Sequence, residues 1–163
     1  MHNGGPGIRL PLLETGVVAR FPGGYGAMED VMKILFTAHA FVSWLFGLAL
    51  LVTPVALLAL YGITADPASV LLARLFGGAL VGLGVAAWFA RVAVPSEGLR
   101  ALILGDAVIS ILGCLVCIQG TLSSTSNALG WLNVAIFGFF AVGFGMLAGA
   151  KVPSGKAPMT AHP

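Results

Sequence analysis

Four long apolar stretches constrain this chain more than any other feature of its sequence. They run over residues 34–60, 70–94, 101–118 and 128–150, and each is a continuous apolar run. A helix needs roughly 20 apolar residues to cross the bilayer core, which is about 30 Å thick. Continuous runs favour membrane helices over barrel strands, in which apolar and polar residues alternate. We therefore predict an all-α integral membrane protein with four membrane-spanning helices.

The composition excludes several classes of function. The 163 residues are 58% hydrophobic and 9% charged, whereas soluble domains carry roughly 25% charged residues. This excludes a soluble enzyme, and a formal net charge of +2 provides no basic stripe for binding nucleic acid. The two cysteines cannot build a disulfide scaffold, and no Cys/His cluster has metal-site spacing. We expect membrane lipids around the chain and no nucleic acid among its partners.

Short polar connections of six to nine residues separate the four stretches, so successive helices must run in opposite directions. The predicted fold is an antiparallel up-down-up-down four-helix bundle over residues 32–150, kinked at Pro54 where a backbone donor is missing. Residues 1–31, which are rich in Gly and Pro, are predicted to form a disordered tail, and residues 151–163 a polar tail. Lys and Arg concentrate on the side of the two termini, which predicts a bacterial inner-membrane protein with both termini cytoplasmic.

Small residues repeat every four positions on two of the predicted helices. Gly78 and Gly82 lie on the second helix, and Gly145 and Gly149 lie on the fourth. Such stripes let membrane helices approach closely, because lipid provides no hydrophobic driving force between them. We expect these glycines to pack inside the bundle; a seam between two copies of the chain is the alternative.

Two ionisable residues lie inside the predicted membrane segments, where each is costly and therefore a candidate functional group. His39 lies six residues after Lys33, and Asp106 lies six residues after Arg100. At 1.5 Å per residue both side chains are roughly 9 Å deep, which makes a pair between them plausible. Ser110 continues the polar face that begins at Asp106. The pair is interpreted either as a structural contact that fixes helix register or as a site that binds a polar headgroup or passes a proton.

Arg74 lies near the outer end of the second predicted helix, eight residues after Asp66. A long cationic side chain there can extend to the membrane interface. We expect Arg74 to do so or to pair with Asp66. Contact with an anion or a lipid headgroup is the alternative.

Two short patterns resemble known cofactor sites. Cys114 and Cys117 form a CxxC pattern that resembles the quinone-linked thiol oxidoreductases of the DsbB and vitamin K epoxide reductase type. That resemblance implies quinone-linked redox chemistry, although those families use a second cysteine pair that this chain lacks. Small polarizable residues on an inward helix face are the other interpretation.

His39 followed by Trp44 resembles the helices of antenna proteins, which implies a haem or pigment ligand; a hydrogen-bonded histidine of the bundle is the alternative.

The organisation as a whole resembles small bacterial four-span membrane proteins of the DoxX-like kind. The sequence Arg74-Leu75-Phe76-Gly77-Gly78 opens the second helix, with Gly82 and Gly84 following, and Asn127, Trp131 and Asn133 stand at the start of the fourth. The resemblance covers residues 32–150 and implies the fold alone, with no functional residues.

No nucleophile triad, phosphate loop or paired carboxylates occur in the sequence, so no catalytic apparatus is evident. We expect an accessory or structural subunit of a larger membrane complex, with other membrane subunits or a homo-oligomer as partners. A bundle that binds a lipid, a quinone or another apolar molecule is one alternative. A thiol oxidoreductase that uses Cys114 and Cys117 is the other.

Overall fold

The computed structural model describes residues 25–150, and these residues form five helices and no strand. The helices are α1 (Tyr25–Val52), α2 (Pro54–Leu60), α3 (Pro67–Ala90), α4 (Glu97–Leu122) and α5 (Gly130–Gly149). All except α2 are long and apolar enough to cross a membrane. The described residues confirm the prediction of an all-α chain with four such helices, and they indicate a multi-pass membrane protein.

The first helix begins earlier than its apolar run. It starts at Tyr25 rather than at residue 34, so the last part of the predicted N-terminal tail is helical. This extension contains the polar helix formers Glu29 and Lys33, and Lys33 Nζ donates to Glu29 Oε1 at 2.6 Å, one turn away. The remainder of that predicted tail and the predicted C-terminal tail lie outside the described residues.

Pro54 interrupts the first apolar stretch. Proline has no N–H and disfavours the helical conformation in the residue before it, and Thr53 accordingly has φ −128° and ψ 51°. The expected kink is therefore a full break between α1 and α2. Hydrogen bonds from Thr53 N to Ala49 O and from Leu57 N to Thr53 O flank the break.

Side-chain caps move the starts of α3 and α4 upstream of their apolar runs. Asp66 accepts a hydrogen bond from Ser69 N at 2.6 Å, and Ser69 Oγ accepts one from Asp66 N at 2.8 Å. This capping box satisfies two backbone donors that would otherwise be unpaired. The bond from Ser69 N to the carboxylate, together with the Ser69 side chain, holds the pKa of the Asp66 carboxyl below its ordinary value. Ser96 Oγ caps α4 by accepting from Leu99 N at 3.2 Å.

Helices α1 and α3 pack closely because glycines face each other across the contact. A Cβ atom at Gly77 would lie 2.8 Å from Gly47 O, and one at Gly47 would lie 2.9 Å from Gly77 O. Farther along the same contact, Gly84 lies against Ala40 and Trp44. The contacts thus pair lower residue numbers of α1 with higher residue numbers of α3.

Helices α4 and α5 form a second close pair. Gly113 lies under the ring of Phe137, and Gly130 lies against Thr121 at the far end of α4. Here too the contacts pair lower residue numbers of one helix with higher residue numbers of the other. The two pairs meet mainly through α1 and α5, where the rings of Phe36 and Phe144 are 5.1 Å apart, centroid to centroid.

The glycine stripes predicted to pack inside the bundle do not do so. Cβ atoms at Gly78, Gly82, Gly145 and Gly149 would have no described atom within 4 Å. An α-helix turns by about 100° per residue, so Gly78 points away from the face on which Gly77 contacts α1. A seam between two copies of the chain, the alternative for these glycines, stays a prediction.

A polar cluster joins the two helix pairs at the end opposite the start of α1. The Tyr61 hydroxyl donates to Asn133 Oδ1 at 2.9 Å, and Asn127 N donates to Tyr61 O at 2.8 Å. Burial raises the pKa of the Tyr61 hydroxyl. Gly62, which adopts φ +77°, brings the chain against Asn127. Among the described residues, no charged side chain lines an opening of about 400 Å³ beside this cluster.

Candidate functional site

The structure brings His39 of α1 and Asp106 of α4 together. His39 Nδ1 lies 3.5 Å from Asp106 Oδ2, and the two residues are only 6% and 4% exposed. Sequence reasoning paired them by depth alone, and the rotation of both helices turns them toward each other. Among residues 25–150, His39 Nδ1 has no hydrogen-bond partner, so the contact is an electrostatic one.

Aromatic rings surround this pair. The His39 ring lies 4.8 Å from the ring of Phe140 and 5.3 Å from that of Phe144, measured between centroids. Such surroundings exclude water and strengthen any electrostatic interaction. The pair thus gives α1 and α4 a polar link in an apolar interior.

Ser110 shares the buried face of α4 with Asp106. It is 2% exposed and lies one turn farther along the helix. Leu99, Ile103 and Ala107 complete that face. The placement of Ser110 on an inward face agrees with its position in the sequence, while a role in binding stays a prediction.

An opening of about 450 Å³ lies at the end of the molecule where α1 begins. It is lined by the first turns of α1, residues 91–96 of the α3–α4 connection, the first turns of α4 and Leu147 of α5. Ile103 and Leu147 belong to this lining, and they lie one helical turn from Asp106 and Phe144 respectively. We call it the basic opening, because Lys33, Arg91 and Arg100 line it. It lies where both helix pairs meet, next to the layer that contains the His39–Asp106 pair.

Arg91 is held in place at the basic opening. Its guanidinium carbon lies 3.4 Å from the centroid of the Trp88 ring, and its Nε donates to Trp88 O at 2.9 Å. Stacking on an aromatic face is favourable for a guanidinium. Sequence reasoning passed over Arg91 as part of a charged turn, although the three-residue spacing of Trp88 and Arg91 on one helix was a usable signal.

Lys33 and Arg100 also line the basic opening. Lys33 is paired with Glu29, whose carboxylate also belongs to the lining. Within the described part of the chain, no acidic side chain pairs with Arg91 or Arg100. The lining thus holds three cations and one carboxylate.

The two cysteines lie away from the His39–Asp106 pair, farther along α4. The Cys114 thiol donates to Val134 O of α5 at 3.7 Å, and Cys117 O accepts from Thr121 Oγ1 at 2.8 Å. Both thiols are free and half-buried. These contacts fit small polar residues at the α4–α5 interface, and the redox interpretation stays a prediction.

Arg74 lies exposed on α3, apart from the groups described above. The predicted pair with Asp66 is not formed in the described structure, and the Asp66 carboxylate accepts the bond that caps α3. No other acidic side chain among residues 25–150 lies within ion-pair distance of Arg74. Extension to the membrane interface and contact with a headgroup both stay predictions.

In the described range, no three His, Cys, Asp or Glu side chains are grouped so that they would hold a metal ion. Comparison with protein-family models, with curated proteins and with solved structures finds no match to this chain. The resemblance to DoxX-like proteins therefore stays a prediction, and the function has to be argued from the geometry.

Proposed function

We propose that this chain is an antiparallel up-down-up-down bundle of the bacterial inner membrane that binds an apolar or amphiphilic molecule in the basic opening. The opposite order of contacts in the α1–α3 and α4–α5 pairs supports the antiparallel arrangement. Lys33, Arg91 and Arg100 cluster at one end of the helices, which supports a cytoplasmic position for that end. Both termini then face the cytoplasm, and reporter fusions at the two ends test this placement.

The basic opening is the observation that carries the binding proposal. Its volume of about 450 Å³ lies in the range of small-molecule sites, roughly 300–1,000 Å³. Its lining is mostly apolar and includes buried side chains of α4 and α5. The His39–Asp106 pair holds α1 and α4 together beside it, so the walls of the opening are fixed in relation to each other.

Filling the basic opening tests the proposal. The chain is purified in a mild neutral detergent, and native mass spectrometry counts the small molecules that it retains. We expect one retained molecule per chain, lost in Ile103→Trp and in Ala93→Phe, both of which fill the opening. Ile109→Trp, at an exposed position on α4, is the matched control and retains the molecule. A parent chain that retains nothing, or loss in the control alone, contradicts the proposal.

An accessory role in a larger membrane assembly is the second candidate, and the exposed glycine stripes favour it. Gly78 and Gly82 leave a smooth strip on α3 that contacts nothing in the described structure, and such strips suit close approach by another membrane helix. A subunit of this kind co-purifies with a fixed partner, and Gly82→Leu releases that partner. Gly105→Leu, at an open position on α4, is the control. Purification without any partner argues against this role.

A further inference from the structure

The charge at the basic opening goes beyond what binding an apolar molecule requires. Arg91, Arg100 and Lys33 line it, and only Lys33 has an acidic partner among the described residues. The opening at the other end of the molecule is similar in size but is lined by no charged side chain. Positive charge is therefore a property of one opening and not of both.

Arg91 is the cation best placed to hold a ligand. The Trp88 ring and the Trp88 carbonyl fix its guanidinium, so little side-chain freedom remains to be lost on binding. Nε is used in that contact, while the terminal nitrogens form no hydrogen bond with the described residues. A planar guanidinium with free donors matches carboxylate and phosphate groups geometrically.

We propose that the molecule in the basic opening is an amphiphile with an acidic headgroup, a carboxylate or a phosphate, bound by Arg91. This rests on the binding proposed above and names the chemistry of the ligand. The headgroup pairs with the Arg91 guanidinium, with Arg100 at the same opening, and the chain lies along the apolar lining that ends at Ile103 and Leu147. The Arg91 guanidinium selects the acidic headgroup, and the apolar lining binds the hydrocarbon chain.

Three probes with the same C18 chain test the proposal: oleate, oleyl phosphate and oleyl alcohol. Each is titrated into the full chain in neutral detergent, and native mass spectrometry gives the bound fraction. A hydrogen bond between two charged groups is stronger than one to a neutral hydroxyl, so we expect the two acids to bind at least about tenfold more tightly than the alcohol. Tighter binding of oleyl phosphate assigns a phospholipid-like headgroup, and tighter binding of oleate assigns a fatty acid.

Two matched substitutions locate the effect. Arg91→Gln removes the preference for the acids over oleyl alcohol, whereas Arg74→Gln, at an exposed position on α3, retains that preference. Circular dichroism confirms that both variants are folded. A preference that survives Arg91→Gln, or that Arg74→Gln removes equally, overturns the proposal.

The outcomes separate this inference from the proposed function. If oleyl alcohol binds as tightly as the acids, and Ile103→Trp abolishes all binding, the opening takes apolar molecules and the acidic headgroup is wrong. If none of the three probes binds, both the proposed function and this inference fail.

Discussion

Two neighbouring glycines on α3 provide a test of how the helices pack. Gly77 faces α1, where a Cβ would lie 2.8 Å from Gly47 O and 2.9 Å from Leu50 Cβ, whereas Gly78 has nothing within 4 Å. Replacement by alanine raises helix propensity by about 1 kcal/mol at either position. Only Gly77→Ala adds a clash, and the atoms it meets belong to backbone or lie next to it, so they cannot move aside cheaply.

The difference between the two variants isolates that clash, because the gain in propensity is common to both. Overpacking a close contact costs about 1–3 kcal/mol. Gly78→Ala should therefore be as stable as the parent chain or up to about 1 kcal/mol more stable. Gly77→Ala should be less stable than Gly78→Ala by about 1–3 kcal/mol.

Unfolding in mixed micelles of neutral detergent and dodecyl sulfate, followed by circular dichroism, measures the free energy of unfolding of both variants. Gly47→Ala serves as a second probe of the same contact, since its Cβ would meet Gly77 O and Val81. Equal stability of Gly77→Ala and Gly78→Ala would refute the close α1–α3 contact. A large loss for Gly78→Ala alone would show that the stripe is buried after all.

Substitutions at three further positions test polar contacts. Asp106→Asn keeps the shape and a hydrogen-bonding group beside His39, so thermal unfolding should show it to be more stable than Asp106→Leu by about 1–3 kcal/mol; equal loss in both variants contradicts a pairing role. The lowered pKa of Asp66 means that its cap stabilises the fold above the ordinary carboxyl pKa, and that this contribution is lost as the pH falls through the lowered value. Melting temperatures measured from about pH 5 to pH 2 should therefore fall more steeply for the parent than for Asp66→Ala; parallel curves contradict this. Tyr61→Phe removes the bond from the Tyr61 hydroxyl to Asn133 of α5 and should lower stability by about 0.5–1.5 kcal/mol, and an unchanged midpoint in a denaturant titration argues against that bond.

The helices were predictable from the sequence because membrane-spanning length and apolarity are properties of each segment alone. The residues at which the helices begin were less predictable. The capping residues Asp66 and Ser96 lie before the apolar runs, and α1 continues back through polar helix formers to Tyr25. Hydropathy indicates which residues can lie in the lipid, whereas hydrogen bonding of the backbone determines the residue at which a helix begins.

Part of the candidate site could likewise be predicted from the sequence, and part could not. Counting residues from the charged helix ends placed His39 and Asp106 at the same depth, and depth was sufficient to suggest their pairing. Choosing between Gly77 and Gly78 required knowing how α3 is rotated about its axis. Hydropathy does not give this rotation, because the faces of that helix are similarly apolar. The contact of Arg91 with Trp88 depends on a side-chain conformation that spacing permits but does not require.

The division of the molecule into two helix pairs has a consequence for its biogenesis. Each long helix has its main partner next to it along the chain, apart from the short α2, so each hairpin can assemble as soon as its second helix has left the ribosome. The two hairpins must then associate across α1 and α5, and this late step takes His39 and Asp106 out of contact with lipid. Until it is complete, each nascent hairpin carries an ionisable group that the hydrocarbon tolerates poorly. Association of the two hairpins removes that penalty, and this favours their association thermodynamically.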